Sequence, residues 1–585
     1  HGHAVGSERV SMVPLARIQN LSWDEARRFT REHGFNWPST REARERLENA
    51  VVNTVTRQDQ KVIDAPTALG KSYTVATFPW LRHRDVTGGA PVVHVHATRE
   101  ARDEAFEESD LNGVNAKRVL GRKEACPVAR GDFDSEITMN GEPASEWMDS
   151  QCDGKGIPLS VAHSILDEHN DQDEDLPCCP GVQECPSKTQ WSDVPWYNPG
   201  EEPGPGGCGG VEEFQSEDRV KYDVVHATHP MLFVPSMTKN TNVVIDELPD
   251  YALRVEDGEG GVSMDRLQNA VSAYLKAIDA PVRTWEAFIT LARSRGDDEF
   301  GDLYGSLADQ YFELRDAVEE RSPPLEWYVE TPEAHVLARA VIECIIDAFD
   351  GDADRNGLRH GTTLHTLPRM DNEDAQVRVS LVIDSDNRVQ TIRQTPDLSS
   401  ARSVVGLDAH PAMPLWQLNS VEHIERLKIL DTDERRFWRL FERGLFAVQV
   451  GDATRPLSGP NAKDWFGEEK LDVLLGELVD EGLGTGITTT QVESELGHLL
   501  GEHGVTKPET MHYGEVRSRN DFGDEDVGFV NGCMDPGDGF VLTVLAEYGC
   551  DAEPETRTGE NGEEHRAHGR GFTGPDAETA DAILA

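Results

Sequence analysis

The stretch DAPTALGKS, residues 64–72, carries groups suited to binding phosphate. It ends in Gly70, Lys71 and Ser72, as phosphate-binding loops do, although Ala65 stands where the common pattern has a glycine. In such a loop the backbone amides surround the anion, the lysine reaches the terminal phosphates, and the hydroxyl holds magnesium. The residues predicted to bind the nucleotide are Ala65, Pro66, Thr67, Ala68, Leu69, Gly70, Lys71 and Ser72.

The loop has the flanking elements that this motif needs. Residues 61–64 are typical of a short buried strand, and residues 72–80 can begin a helix. A strand, a tight loop and a helix together point the amides and the helix N-terminus at one anion. The alternative is an ordinary strand–helix turn with a surface lysine.

A second strand ends in two acids that could complete a nucleotide site. In VVIDELPDY, residues 243–251, three apolar β-branched residues lead into Asp246 and Glu247. At the end of a strand, Asp246 would hold Mg²⁺ through water, and Glu247 would orient or deprotonate the attacking water. The alternative is a plain strand end with two solvated acids, which so acidic a chain offers in many places.

The overall charge indicates the solvent for which the chain is adapted. The 585 residues include 56 Lys and Arg against 107 Asp and Glu, a formal net charge of −51. This excess favours a salt-rich cytoplasm, where screening weakens self-repulsion and lets local Arg and Lys contact nucleic acid. No apolar run is long enough to span a membrane. We therefore expect a cytoplasmic protein of a halophile.

Cysteines cluster in residues 121–215, a stretch rich in Gly, Pro and acids with few apolar runs. Four converging thiolates would suit a [4Fe–4S] cluster or a structural zinc, and spacing does not distinguish these. Scattered free thiols are the alternative. The predicted ligands are Cys126, Cys152, Cys179 and Cys185, with Cys178 a rival for the third place and Cys208 a further candidate. Structural roles are expected for Cys344, Cys533 and Cys550.

Four histidines stand near the predicted strand ends and could bind a metal: His94, His96, His226 and His229. Ordinary polar contacts are the favoured interpretation. Further strands are predicted at 222–227, 242–246, 404–407, 527–532 and 540–545, a hairpin at 376–394, and helices at 41–57 and over 264–350.

Taken in order, these motifs resemble those of superfamily 2 helicases of the xeroderma pigmentosum group D type. DAPTALGKS and VVIDELPDY resemble its nucleotide motifs, and YDVVHATHPMLF (222–233) the segment before the acid pair. HVHATREARDEA (94–105) is similar to a motif that touches nucleic-acid backbone, which implies this role for Thr98 and Arg99. Leu248 and Pro249 replace the family's Ala-His.

The resemblance continues through SVVGLDAHP (403–411), GITTTQVESEL (486–496) and residues 512–538. In the last stretch, one segment resembles the part that faces ATP and nucleic acid: Arg519, Asn520, Asp521 and Phe522. The family's final motif, which carries an arginine finger, is not found. The sequence is therefore expected to be C-terminally incomplete and a poor ATPase alone.

The resemblance implies an α/β fold with two RecA-like P-loop motor domains, a cysteine-rich iron–sulfur insertion and a helical arch-like insertion. The implied first motor comprises residues 1–120, 216–255 and 371–427; the insertions are 121–215 and 256–370; the incomplete second motor is 428–585. The position of the cysteines favours [4Fe–4S] over zinc.

The implied function is an ATP- and Mg²⁺-dependent helicase or translocase that moves 5′→3′ on single-stranded or forked DNA, or on RNA. Two alternatives remain. One is a nucleic-acid-dependent ATPase that remodels complexes without unwinding. The other is an inactive, zinc-stabilised nucleic-acid-binding module.

Overall fold

A computed structural model of the chain divides it into two compact units, His1–Arg443 with Asp538–Ile583, and Gly444–Gly537. The structure describes residues 21–172, 176, 222–255, 262–296, 307–354, 356–366, 376–445, 447, 462–466, 469–513, 522, 525–532, 537–558, 564–566 and 571–584. Among the helices of these residues, none combines the length and apolarity needed to cross a bilayer.

The strands are β1 (Gln60–Asp64), β2 (Val92–His96), β3 (Ala116–Arg118), β4 (Thr138–Met139), β5 (Glu142–Pro143), β6 (Val224–Thr228), β7 (Asn242–Asp246), β8 (Ala252–Arg254), β9 (Arg359–Thr366), β10 (Gln376–Ile383), β11 (Val389–Thr395), β12 (Ser403–Asp408), β13 (Glu425–Lys428), β14 (Thr485–Thr488), β15 (Glu509–His512), β16 (Gly528–Val530), β17 (Glu553–Pro554), β18 (Thr556–Thr558), β19 (Glu564–Arg566) and β20 (Phe572–Thr573).

The α-helices are α1 (Trp23–Glu32), α2 (Thr40–Arg57), α3 (Lys71–Thr77), α4 (Arg84–Thr87), α5 (Arg99–Leu111), α6 (Arg122–Ala125), α7 (Ala144–Lys155), α8 (Leu159–His169), α9 (Pro235–Thr238), α10 (Met264–Ala277), α11 (Trp285–Gly296), α12 (Leu307–Glu320), α13 (Leu325–Glu330), α14 (Ala338–Asp350), α15 (Met413–Asn419), α16 (Thr432–Phe441), α17 (Ala462–Phe466), α18 (Glu469–Asp480), α19 (Glu493–Glu502), α20 (Gly537–Tyr548) and α21 (Ala577–Leu584).

A seven-stranded sheet, in the order β13-β1-β12-β7-β2-β6-β3, dominates the first unit and makes the fold α/β. Each neighbouring pair runs parallel. Successive β1 residues Val62 and Ile63 belong to two different apolar clusters, so the sheet is covered on both faces. This explains the apolar runs in the sequence, because a parallel sheet is buried on both sides. The strands predicted at 61–64, 222–227, 242–246 and 404–407 are confirmed.

A second layer of the first unit packs an antiparallel sheet, β8-β11-β10-β9, against helices. The predicted hairpin is confirmed: β10 and β11 pair, and Asn387 adopts a φ of 61° in the turn between them. One apolar cluster joins β10 and β11 to helices α10 to α14 and to Cys126, Trp147 and Leu176. The described part of the cysteine-rich stretch therefore contributes to a shared core, although its sequence has few apolar runs.

The second unit contains a three-stranded parallel sheet, β15-β14-β16, with helices α18 and α19 supplying much of its apolar core. The strand predicted at 527–532 is confirmed as β16. The prediction of a strand at 540–545 is wrong, because those residues lie inside helix α20. Val541, Val544 and Leu545 are buried there, and this spacing of three and four residues places them on one helical face.

Helix α20 and the residues after it belong to the first unit. The side chain of Arg393 on β11 donates to the Glu547 carboxylate on α20, with Nε and Oε2 3.1 Å apart. Both side chains are at most 3% exposed. Burial raises the pKa of Glu547, and the charge and hydrogen bond of Arg393 oppose that rise. Losing either partner would leave an uncompensated buried charge, so the pair links α20 to β11.

Candidate functional site

The predicted phosphate-binding loop lies between β1 and α3, at the carboxyl edge of the parallel sheet. Gly70 caps α3 with a φ of 90°, a backbone conformation that glycine adopts without strain. The amide of Ala65 donates to the carbonyl oxygen of Asp408 at 3.0 Å, which ties the start of the loop to β12. Ala65 and Leu69 are buried, and Thr67 and Ala68 are exposed. The loop is thus anchored at its first residue and open to solvent at its tip.

Ser72, at the start of helix α3, and Asp246, at the end of strand β7, lie in contact. β12 lies between β1 and β7, and all three strands end at the same edge. The Ser72 hydroxyl donates directly to Oδ2 of Asp246, whose side chain is 13% exposed. A hydroxyl and a carboxylate in contact are hard oxygen donors of the kind that Mg²⁺ prefers. These two side chains therefore fit a magnesium ion.

Two histidines fix the surroundings of Asp246. Nε2 of His229 lies 2.9 Å from the backbone oxygen of Asp246. Nδ1 of His96 lies 3.7 Å from Oδ2 of the Asp246 carboxylate. Burial by itself would raise the pKa of Asp246, but the nearby His96 imidazole, with help from the Ser72 hydroxyl and the Lys71 charge, lowers it below the ordinary value. The carboxylate is therefore ionised at neutral pH, the form that a cation requires.

Glu247 follows Asp246 in a strained conformation. Its φ is 64°, and its amide donates to the carbonyl oxygen of Leu407 at 2.9 Å. A positive φ is uncommon for a residue with a side chain and occurs often at functional sites. Leu248 packs against the apolar cluster on one face of the sheet.

The sequence did not reveal a pair of arginines at this edge. Asp64, the last residue of β1, is 2% exposed and accepts hydrogen bonds from Arg426 on β13 and from Arg435 on α16. Nη2 of Arg426 lies 2.6 Å from Oδ2 of Asp64. Two guanidinium groups therefore flank the start of the phosphate-binding loop. No local motif marks them, because they lie 362 and 371 residues away from Asp64.

The predicted nucleic-acid residues lie at the start of helix α5. The Thr98 hydroxyl accepts the amide of Ala101 at 3.1 Å and caps the helix, and the neighbouring Arg99 is exposed. Thr98 thus has a structural role that does not depend on a ligand. The resembling segment that includes Arg519 lies outside the described residues, except for Phe522.

Two of the four predicted cluster cysteines lie in the described part of the chain. Cys126 is buried, and Cys152 on α7 is partly buried. Burial raises the pKa of Cys152 to about 12; Asp153 and Asp149 add to this, and Lys123 opposes it. Such a thiol is protonated and becomes a ligand only if a metal displaces the proton. Cys178, Cys179, Cys185, Cys208 and Cys533 lie outside the described residues.

The other two cysteines agree with a structural role. Cys344 is 0% exposed on α14, where its thiol donates to the carbonyl oxygen of Val379 at 3.3 Å. Cys550 follows α20 and is partly buried.

Three buried histidines form a separate cluster under the Asp246 end of the sheet. His94 and His96 are on β2, His226 is opposite His94 on β6, and all three are 0% exposed. Burial lowers the pKa of His94 and of His226 well below the ordinary value, so both imidazoles are neutral. The ligand nitrogens of these three described residues lie close enough together to share one metal ion.

Comparison with known proteins gives a similarity of fold alone. No protein-family model matches the chain, and no curated protein matches it significantly. A solved structure titled "XPD_Helicase" is 11% identical over 93% of each chain, with a TM-score of 0.36. Another, titled "Truncated XPD", is 11% identical over 66% of this chain and 99% of that chain, with a TM-score of 0.25. At this identity and TM-score, function has to be inferred from the geometry of the site.

Proposed function

We propose that the chain is an ATP hydrolase that couples turnover to movement on nucleic acid. The observation that carries the proposal is the contact between the Ser72 hydroxyl and the Asp246 carboxylate, beside a glycine-capped loop at the carboxyl edge of a parallel sheet. Ligands of open α/β sheets bind at this edge, and helix N-termini with loop amides bind anions there.

Each residue has a distinct role in this proposal. Lys71 contacts the terminal phosphates, while Ser72 and Asp246 hold Mg²⁺, which neutralises charge on the phosphates when bound. Glu247 accepts a proton from the attacking water, or orients that water. The ionised state of Asp246, maintained by His96, Ser72 and Lys71, supports the metal role.

The nucleic-acid part of the proposal rests on the family resemblance. Single-stranded or forked DNA, or RNA, would contact Thr98 and Arg99, and the implied direction of movement is 5′→3′. The resemblance also supports a [4Fe–4S] cluster on Cys126, Cys152, Cys179 and Cys185, with zinc as the alternative. If the chain holds an iron–sulfur cluster, protein purified without air is brown and loses its colour on exposure to oxygen. Colourless protein that binds zinc and no iron contradicts the cluster.

ATP turnover stimulated by single-stranded DNA, measured at high salt, tests the hydrolase. Lys71→Ala is expected to lower turnover by about 10²–10³-fold, since one lost transition-state contact costs about 3–4 kcal/mol. Glu247→Gln is expected to retain ATP binding but stop hydrolysis. Lys276→Ala, which removes an exposed lysine on α10, is the matched control and should turn over normally. Normal turnover in Lys71→Ala and Glu247→Gln would contradict the proposal.

A strand-displacement assay separates the motor from its alternatives. Unwinding of a forked duplex that requires ATP and Lys71 supports a helicase. DNA-stimulated hydrolysis without unwinding favours the remodelling ATPase. DNA binding without hydrolysis favours the inactive binding module.

A further inference from the structure

Three buried histidines bring their ring nitrogens together at one place in the first unit. Their side chains share one face of the sheet, since His94 and His96 are two residues apart and His226 is in register with His94. Ligand nitrogens from all three lie within 4.8 Å of one another. Neither ring nitrogen of His94 has a hydrogen-bond partner among the described residues. A buried polar group left unpaired costs about 1–3 kcal/mol, so its retention calls for a ligand.

The hydrogen bonds around His226 determine which of its nitrogens is protonated. Its Nε2 lies 2.9 Å from the hydroxyl of Ser109. That hydroxyl also lies 2.8 Å from the carbonyl oxygen of Ala76 and 3.0 Å from that of Ala105, and a carbonyl can only accept. With its own proton on either carbonyl oxygen, Ser109 accepts the Nε2 proton of His226. A neutral His226 then presents the lone pair of Nδ1.

That lone pair faces His96. Nδ1 of His226 lies 3.2 Å from Nε2 of His96, whose other nitrogen, Nδ1, faces the Asp246 carboxylate at 3.7 Å. Two nitrogens bound to one tetrahedral zinc at about 2.0–2.1 Å are about 3.3–3.4 Å apart. The observed separation is therefore close to one edge of such a site. Metal-bound imidazoles usually direct their second nitrogen to a carboxylate or another polar group. His226 directs its Nε2 to Ser109 at 2.9 Å, and Nδ1 of His96 faces the Asp246 carboxylate at the longer distance of 3.7 Å.

We propose that His94, His96 and His226 bind a Zn²⁺ ion on one face of the parallel sheet. The ion joins β2 to β6 and, through His96, supports the position of the Asp246 carboxylate. That carboxylate also offsets part of the buried positive charge. Imidazole nitrogens suit zinc, whereas the oxygens of Ser72 and Asp246 suit magnesium, so the two sites are chemically distinct. Three imidazoles leave one position of the tetrahedron open.

A proton shared by His96 and His226 is the competing explanation. It would satisfy the facing nitrogens of that pair, but it would leave both nitrogens of His94 unpartnered. A metal ion satisfies one nitrogen of each histidine. The difference between the two explanations is thus a bound metal that depends on His94.

Metal content of the 585-residue chain tests the proposal. Because the ligands are fully buried, the metal has to enter during folding, so the protein is produced in medium supplied with Zn²⁺ or with Co²⁺ as a spectroscopic probe. His94→Ala and His226→Ala are each expected to lose one equivalent of metal per chain and the visible bands of tetrahedral Co²⁺ bound by nitrogen. The matched control is His423→Ala, which removes an exposed histidine of the same unit and should keep both.

Metal bound by the cysteines is measured separately in the same experiment. Thiolate–Co²⁺ charge-transfer bands in the near ultraviolet report the cysteine-rich stretch and should not change in the histidine variants. Equal metal content in the wild type and both histidine variants would overturn the proposal. If those variants do not fold, X-ray absorption at the zinc edge of the wild type decides. Imidazole nitrogens at about 2.0–2.1 Å support the site, and sulfur alone at about 2.3 Å overturns it.

Discussion

His335 is a buried histidine that the fold keeps neutral. It is 5% exposed, and its Nδ1 accepts the amide of Leu337 at 3.1 Å. Burial, followed by the positive charge of Arg266, lowers the pKa of His335 to about 4. The unfolded chain therefore takes up a proton near pH 6.5 that the folded chain does not take up until about pH 4. The contribution of His335 to stability is complete above pH 6.5 and decreases as the pH falls towards 4.

We expect His335→Asn, which keeps an acceptor for Leu337, to weaken this pH dependence. The free energy of unfolding of the wild type should fall by about 3 kcal/mol more than that of the variant between pH 6.5 and 4, from the pKa difference. Denaturant unfolding at a series of pH values measures the effect. The control is His169→Asn, at a side chain that is 65% exposed. Parallel pH profiles for the wild type and His335→Asn would show that His335 is not held neutral.

Individual residues were predictable where their chemistry is local. The contact of Ser72 with Asp246 could be anticipated, because each residue follows a recognisable apolar strand and parallel strands end at one edge. The arginines that bind Asp64 could not, since Arg426 and Arg435 reach it only after the sheet has assembled. The pairing of His96 with His226 depends likewise on strand order, which the sequence does not specify.

At the scale of elements, helix α14 lies very close to strand β9. A Cβ atom at Gly361 would come within 1.7 Å of the backbone oxygen of Cys344. The amide of Thr362 donates to the Asp347 carboxylate at 2.9 Å, and the Thr363 hydroxyl donates to Glu343 at 2.8 Å. Glycine is therefore required for this helix to contact the sheet through hydrogen bonds as well as apolar side chains.

Gly361→Ala is expected to destabilise the first unit by about 1–3 kcal/mol or more, because backbone atoms rather than a flexible side chain must move. Gly351→Ala is the matched control, since a Cβ there has its nearest contact at 3.9 Å and the backbone is extended. Thermal unfolding of both variants measures the difference. Equal melting temperatures would mean that α14 and β9 are not in close contact.

Elements could be predicted where periodicity and length agree. The β10–β11 hairpin has alternating apolar residues and a turn sequence, both of which are properties of the segment itself. The residues of α20 were misassigned because a short apolar run fits a buried strand or a buried helix equally well. The contact of Glu547 with Arg393, which is 154 residues away, forms only in the folded chain and gives no local signal of a helix.

The two compact units of the molecule are not consecutive stretches of the sequence. Residues 538–583 return to the first unit, whereas the sequence placed 428–585 together. Helix α16 belongs to the first unit too, where Phe437 and Trp438 join the apolar cluster that contains Leu47. Contacts over hundreds of residues determine this division, and neither composition nor spacing reports them.

The net charge of −51 leads to a prediction for the whole molecule. Acidic side chains outnumber basic ones by nearly two to one, so repulsion among carboxylates opposes the compact state at low salt. The Debye length falls from about 10 Å at 0.1 M to about 3 Å at 1 M, which removes most repulsion between exposed charges. The thermal midpoint is expected to rise with ionic strength, chiefly below about 1 M.

Comparing two salts separates screening from the general stabilisation that excluded salts give. If screening dominates, the thermal midpoints in KCl and in K₂SO₄ coincide when they are plotted against ionic strength. If preferential exclusion dominates, sulfate raises the midpoint more than chloride does, and the midpoint keeps rising at higher salt concentration. Lys276→Glu, which makes the exposed surface more acidic, should steepen the initial rise. A midpoint that is independent of KCl, or that rises in sulfate alone, would contradict adaptation to salt through charge. The chain should therefore be most stable at salt concentrations where long-range attraction to nucleic acid is weak. Binding of a nucleic-acid strand there should depend on close contacts such as that proposed for Arg99.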